Sequence, residues 1–330
     1  MDAQEKPKSG WPEAIQEVEI ASSADRSMQK ALWWKPNGKE QPRPLLVALH
    51  TWSSDYKQAG GELVYGKWAI ANDWVFIHPN FRGANRTPQS CGSELAVSDI
   101  LDAVEFAKKQ ANVDADRVYL VGVSGGGHAS LLMAGRHPEI WAGVSAWCGI
   151  SDLAAWHEQH SNPELTGYGR MMEAACGGPP SEPAAAEEYR LRSPLTWLEN
   201  AQGKVALDIS HGVTDGRKGS VPFTHSLEAF NLVAAEDSRL AEKTIADFYQ
   251  TQKASTDNAA VDPLFGPDPL PFRRQSESAR ITIFNGGHEI VHRAALNWLA
   301  QQKRGTDAVW DLDPAKIRRL DAPGTSESGK

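Results

Sequence analysis

The sequence predicts an α/β fold, with a mostly parallel eight-stranded sheet and helices on both of its faces. The first observation is that eight short segments are rich in apolar and β-branched residues, and most are apolar throughout, as strands buried on both faces are. The second is that segments with a helical spacing of apolar residues separate them. Such sheets bind their ligands at the carboxyl ends of the strands.

The individual elements follow from these runs in chain order. The segments "IQEVEI" and "MQKALWW" are expected to open the sheet as antiparallel strands, and the other six strands are expected at 44–50, 74–79, 117–123, 141–147, 205–210 and 280–285. Two helices are clearest because their apolar residues share one face: Val97, Ile100, Leu101, Val104 and Ala107 in 94–110, and Val291, Ala294, Ala295, Trp298 and Leu299 in 288–301.

Two segments are longer than a simple connection requires. Residues 153–200 separate two predicted strands, and an insertion over 237–279 includes the Pro- and Asp-rich run "DPLFGPDPLPF". Because long loops in compact domains are usually functional or disordered, we expect 153–200 and 251–279 to form a rim or lid over the site. Residues 1–303 are predicted to be one domain, and 304–330 a partly disordered tail with few apolar residues.

Composition excludes several classes of function. The 34 basic and 42 acidic residues give a net charge of −8, which argues against nucleic acid as a partner. No apolar window is long enough for a membrane span, and the N-terminus lacks the apolar core of a signal peptide, so we expect a soluble chain. A secreted or periplasmic location with a removed leader stays open, as does the oligomeric state. Cys91, Cys148 and Cys176 show no metal-ligand spacing, and they allow either one disulfide or three buried thiols.

The run Gly122-Val123-Ser124-Gly125-Gly126 lies where a predicted strand meets a predicted helix. A G-x-S-x-G in this context is typical of a nucleophile elbow. The sharp turn brings the neighbouring backbone so close that only glycine fits two residues before the serine and two residues after it. The alternatives are a glycine-rich N-cap turn or a phosphate-binding loop. A dinucleotide fingerprint needs glycine in place of Ser124, and a P-loop needs a Lys-Ser/Thr pair that does not follow here.

A nucleophilic serine needs a base and an orienting acid, in the chain order Ser, Asp/Glu, His. Asp215 and His288 fit, because each follows a predicted strand at the edge where Ser124 lies. Two other aspartates are less well placed, since Asp208 lies inside a strand and Asp152 follows a different one. The histidines at 137, 211 and 292 are expected to be loop, structural and packing residues, respectively.

The chain resembles the α/β-hydrolase fold, and specifically the catalytic domain of the prolyl-oligopeptidase-like (S9-type) hydrolases and related esterases. The resemblance covers about 40–303, except 237–279, and is carried by "NFRGANRT", "DRVYLVGVSGGGHAS", "SPLTWL", "HGVTDGRKG" and "GGHE". It implies a triad of Ser124, Asp215 and His288. It also implies an oxyanion hole formed by the backbone N–H of Gly125 and one from the loop at "LHTWSSD", which points to Trp52.

The predicted enzyme is a serine hydrolase that cleaves carboxylic esters through an acyl-enzyme and needs no metal or organic cofactor. Peptidases of this family position peptides with an N-terminal propeller, and about forty residues precede the hydrolase core here, so we expect small-molecule or carbohydrate esters as substrates. The alternative is an S9-like peptidase or amidase without a propeller. A catalytically silent fold used as a binding module is a third hypothesis.

Twelve tryptophans are a high count, and several fall near the predicted site. Trp147, Trp156 and Trp197 are candidate substrate-binding residues, because exposed rings beside a cleft could stack on sugars or aromatic acyl groups. The opposing interpretation is that these rings are simply packed in the core.

Overall fold

A computed structural model describes residues 10–38, 41–254 and 261–320. Its sheet has nine strands: β1 (Gln16–Ala21), β2 (Met28–Trp34), β3 (Arg43–Leu49), β4 (Val75–Pro79), β5 (Val113–Val123), β6 (Gly143–Trp147), β7 (Leu207–Gly212), β8 (Phe272–Ser276) and β9 (Ala279–Phe284). All eight predicted strands are present. The predicted count of eight strands is wrong, because the sheet has one strand more. The additional strand is β8, whose sequence FRRQS is mostly polar.

Nine α-helices lie in the described residues: α1 (Leu63–Ala71), α2 (Glu94–Gln110), α3 (Gly125–Arg136), α4 (Leu153–Gln159), α5 (Gly167–Cys176), α6 (Pro183–Arg192), α7 (Thr224–Val233), α8 (Glu242–Thr251) and α9 (His292–Leu299). The predicted helix over 94–110 is α2, and the one over 288–301 is shorter at both ends. None of these helices has both the length and the apolar character that a membrane crossing requires.

The strand order is β1-β2-β4-β3-β5-β6-β7-β9-β8. The six strands from β4 to β9 in this order are parallel, whereas β1 and β2 at one edge and β8 at the other pair antiparallel. Because side chains alternate along a strand, Leu45 and Val47 of β3 enter one apolar core with α2, α3 and α7, and Leu46 enters the other with α1 and α9. The parallel strands therefore end at one edge, between two covered faces.

Residues 153–200 fold into α4, α5 and α6, which share a small apolar core with Trp52 and Cys91. The segment 251–279 lies elsewhere. Its Leu264 and Phe265 pack into the core on the α1 and α9 side of the sheet.

Residues 305–320, the first part of the tail that is expected to be partly disordered, pack against the domain. Trp310 stacks on Trp298 with ring centroids 5.5 Å apart, and the Arg318 backbone N–H donates to Asn297 Oδ1 at 2.6 Å. A few aromatic and polar anchors thus hold a stretch whose composition is otherwise polar. Residues 321–330 lie outside the described part of the chain.

Candidate active site

Ser124 is the single residue between β5 and α3. Its φ of 60° and ψ of −121° are strained for a residue with a side chain, as the nucleophile-elbow pattern predicts. A Cβ on Gly122 would lie 2.4 Å from the backbone of Gly126, and a Cβ on Gly126 would lie 2.5 Å from the Leu49 carbonyl oxygen, so both flanking glycines are required by close approach. The Ser124 N–H donates to the Trp147 carbonyl at 2.9 Å, which ties the turn to the neighbouring strand.

Asp215 lies in the loop after β7, and its carboxylate accepts four hydrogen bonds. His288 Nδ1 lies 2.5 Å from Oδ2, and His211 Nε2 lies 2.9 Å from the same oxygen. The backbone N–H groups of Gly216 and Val221 donate to Oδ1 at 2.9 and 3.2 Å. Burial raises the pKa of this carboxyl group, but the hydrogen bonds from the two histidines outweigh burial and hold the pKa below its usual value.

His288 lies in the loop between β9 and α9, and it lines one pocket with Ser124. The pocket has a volume of about 470 Å³. The structure therefore brings together all three residues of the predicted triad. The two rejected aspartates are engaged elsewhere, since Asp208 pairs with Arg280 at 2.8 Å and Asp152 caps α4.

The backbones of Gly125 and Trp52 meet beside Ser124. A Cβ on Gly125 would lie 2.3 Å from the Trp52 backbone nitrogen, so only glycine fits there. Gly125 is the first residue of α3, and its N–H therefore has no acceptor within the helix. The Trp52 N–H likewise has no hydrogen-bond acceptor within residues 10–38, 41–254 and 261–320. Two free donors side by side are the arrangement expected of an oxyanion hole.

A profile of the prolyl oligopeptidase family matches residues 69–247, more than half of the chain. The chain belongs to this family. The match includes Ser124 and Asp215, and the sequence-based identification of an S9-type α/β-hydrolase fold is confirmed. The protein is accordingly a serine hydrolase of the S9 family.

Named relatives of this S9 hydrolase are peptidases. It is 29% identical over 130 residues to the uncharacterized peptidase YtmA of Bacillus subtilis, an alignment that covers 39% of this chain and 47% of the relative. It is 28% identical over 228 residues to dipeptidyl aminopeptidase BIII of Pseudoxanthomonas mexicana, and this alignment covers 63% of this chain and 31% of the relative. The S9 chain thus spans less than half the length of each of these relatives.

Solved structures share the fold of the S9 hydrolase at lower identity. A puromycin hydrolase superposes with a TM-score of 0.61 and 15% identity, over 90% of this chain and 40% of the other. The acylaminoacyl peptidase of Pyrococcus horikoshii superposes with a TM-score of 0.58 and 15% identity, over 90% and 43%.

The expectation of exposed tryptophan rings beside the cleft is wrong. Trp147 and Trp156 are buried, at 0% and 1% exposure, and their indole N–H groups donate to Ser145 and to the Ser220 carbonyl. Trp197 packs under Arg136 at the far end of α3 from Ser124. None of the three rings lines the pocket, because each fills a gap between elements of the S9 fold.

Of the two segments expected to form a rim or lid, one reaches the pocket, and its action as a lid stays a prediction. Tyr168 of α5 lines the pocket, so 153–200 reaches the site, whereas no described residue of 251–279 does. The three cysteines are free and buried. Cys148 lies near Asp215 and His211, and its thiol donates to the Glu289 carbonyl at 3.4 Å.

Sequence reasoning placed His211 as structural and missed its contact with the triad acid. Its Nε2 faces two acceptors, Asp215 Oδ2 at 2.9 Å and the Val221 carbonyl at 3.0 Å, so this nitrogen carries a proton. Its Nδ1 is hydrogen-bonded to Ser226 Oγ at 2.7 Å. The spacing of His211 and Asp215 in "HGVTD" was the available signal.

Proposed function

We propose that this protein is a serine peptidase that cleaves peptide or amide bonds of small substrates through an acyl-enzyme on Ser124. The observation that carries the proposal is the 2.5 Å hydrogen bond from His288 to Asp215, at the wall of the pocket that contains Ser124. The names of the relatives support a peptidase over an esterase. The expected preference for sugar or aromatic esters rested partly on tryptophan rings that are buried.

In the proposed reaction, His288 Nε2 takes the proton of Ser124 Oγ as this oxygen attacks the substrate carbonyl carbon. Asp215 holds the imidazole through Nδ1 and stabilises the charge that develops on it. The N–H groups of Gly125 and Trp52 would bind the oxyanion of the tetrahedral intermediate. His288 then donates its proton to the departing amine, and water releases the acyl group by the same steps in reverse.

Two measurements test the proposal. A fluorophosphonate probe should label wild-type protein and fail to label Ser124→Ala, because only an activated serine reacts. Hydrolysis of aminoacyl p-nitroanilides and of p-nitrophenyl esters with the same acyl group should then be compared as kcat/KM, with Ser124→Ala as the blank. Anilide turnover above the blank supports a peptidase. Labelling and ester turnover with no anilide turnover would identify an esterase instead.

A further inference from the structure

The two backbone donors beside Ser124 are held in place in different ways. Gly125 begins α3, so the backbone geometry of this helix fixes the direction of its N–H. Trp52 lies in the loop between β3 and α1, where neither a helix nor a strand holds the backbone. A donor helps the reaction only while it is directed at the reacting atoms. The use of the Trp52 N–H therefore depends on the contacts of this loop.

The loop orients the Trp52 N–H through the peptide bond between Thr51 and Trp52. The Thr51 carbonyl oxygen accepts from the Ser54 backbone N–H at 3.3 Å and lies 2.9 Å from His50 Nδ1. The C=O and N–H groups of a planar trans peptide point in opposite directions, so these contacts turn the Trp52 N–H away from Ser54 and His50. The Trp52 carbonyl in turn accepts from the Asn85 backbone N–H at 2.9 Å.

One side chain holds the loop on the other side of Thr51. Gln58 Oε1 accepts from the Thr51 backbone N–H at 2.9 Å and from the Thr51 hydroxyl at 3.1 Å. A backbone N–H can only donate, which fixes the amide oxygen of Gln58 as the atom that faces Thr51. The Gln58 backbone N–H donates to the Asp55 carbonyl at 3.0 Å, and this turn brings the side chain back to Thr51.

The contact between Gln58 and Thr51 lies at the site itself. Both residues line the pocket that contains Ser124, and both are partly exposed. Hydrogen bonds between neutral groups contribute little to the stability of a whole chain, because water can replace them where it has access. The loss of this contact should therefore leave the fold intact and change the local position of the loop.

We propose that Gln58 is a positioning residue of the oxyanion hole. Its amide oxygen holds Thr51, and through Thr51 it keeps the Trp52 N–H directed at the oxyanion that forms beside Ser124. The inference rests on the proposed acyl-enzyme mechanism, and it applies to an ester substrate as well as to an amide. Because the oxyanion exists only after the attack has begun, Gln58 acts on kcat and not on the binding of the unreacted substrate.

Gln58→Met tests the proposal, because methionine has a similar length and no oxygen that can accept from Thr51. On the better of the matched p-nitroanilide and p-nitrophenyl ester, kcat should fall by about 10- to 100-fold, less than for a donor that is lost entirely, and KM should change little. The rate of fluorophosphonate labelling of Ser124 should fall in proportion, since the phosphoryl oxygen takes the place of the oxyanion. Gln110→Met, at the exposed end of α2, is the control and should keep both rates.

Thr51→Val removes one of the two hydrogen bonds and keeps the other. Its kcat and labelling rate should fall by about 3- to 10-fold, the effect of one neutral hydrogen bond. In the double variant of Gln58→Met and Thr51→Val, the loss should be no larger than in Gln58→Met alone, because the hydroxyl then has no partner to lose. If Gln58→Met does not fold, Thr51→Val decides, and unchanged rates in it would overturn the proposal.

Three other results would also contradict the role of Gln58. They are an unchanged kcat and labelling rate in Gln58→Met, a rise in KM at unchanged kcat, and losses that multiply in the double variant. Failure of the proposed function shows in the wild type alone. If the wild type cleaves only esters, the peptidase function fails, and the ester kinetics still decide the role of Gln58. A wild type that is not labelled at all would overturn both proposals.

Discussion

The ends of β7 and β9 each bring one histidine to the Asp215 carboxylate. Both rings lie within 3 Å of the same oxygen, at 2.9 Å for His211 and 2.5 Å for His288. The side chain of His211 is fully buried, whereas 24% of the His288 side chain is exposed. The second nitrogen of His211 is bonded to Ser226, and His288 lines the pocket with Ser124. The same contact therefore suits a fixed positioning residue at the end of β7 and a base in the loop after β9, and the partner of the second ring nitrogen makes the difference.

The largest effect expected from this comparison is that of His288→Gln. It should lower kcat by about 10⁴-fold or more, because no other group at Asp215 can reach the serine proton. His211 cannot substitute, since its ring is enclosed and both of its nitrogens are hydrogen-bonded. Steady-state kinetics on the best substrate, with circular dichroism to show an intact fold, measures this. Activity within tenfold of wild type would mean that another base, such as His292 in the same pocket, does the work.

A smaller loss is expected from Gly219→Ala, which acts on the His288 side of the carboxylate. A Cβ at this position would lie 2.0 Å from Asp215 Oδ1 and 3.0 Å from His288 Cβ. The aspartate and the imidazole must shift together, and a displacement of about 1 Å in a catalytic group can cost about 100-fold in rate. We therefore expect kcat to fall by about 10- to 1000-fold.

Gly167→Ala is the matched control for Gly219→Ala. No atom lies within 4 Å of a Cβ built on Gly167, which is the first residue of α5. Its kcat and melting temperature should stay near the wild-type values. If Gly219→Ala is as active as this control, the space between Asp215 and its loop is larger than the structure shows.

Much of the fold and the triad could be predicted, because both leave local patterns. Most of the eight predicted strands are apolar runs, and Ser124, Asp215 and His288 each follow one of them. The ninth strand was missed because β8 is a polar edge strand, formed only by its pairing with β9. Edge pairing is a tertiary effect that composition does not report.

The pocket wall could not be predicted for a related reason. Glu62 and His292 belong to segments far apart in the chain, and the packing of α1 against α9 brings them together. Neither residue lies in a motif. The prediction of substrate-binding tryptophans was wrong for a different reason. A high count of tryptophans near strand ends does not show which of the rings are enclosed in the core. The prediction of ester substrates rested partly on the short length of chain that precedes the sheet. That length carries no information about the chemistry of the pocket.

The smallest effect on rate is expected from His211→Gln, which tests the other half of the comparison. Asp215 keeps its bonds to His288, Gly216 and Val221, so kcat should fall by about tenfold or less. Stability should respond more clearly. The pKa of Asp215 is held low in the folded protein by His211 and His288, so its carboxylate stabilises the fold above the unfolded pKa of about 4 and this contribution is lost as the pH falls.

Without His211, the folded pKa of Asp215 rises and the stabilisation is lost at a higher pH. The midpoint of acid unfolding should therefore move upward in His211→Gln, and the free energy of unfolding at neutral pH should fall by about 1.5–3 kcal/mol, the value of a hydrogen bond to a charged group. Circular dichroism across a pH titration measures both, with His137→Gln as the control, since the His137 ring lies at the end of α3 and is hydrogen-bonded to the exposed Glu139. An unmoved acid midpoint together with a loss of kcat as large as that of His288→Gln would show that His211 takes part in proton transfer and is not a positioning residue.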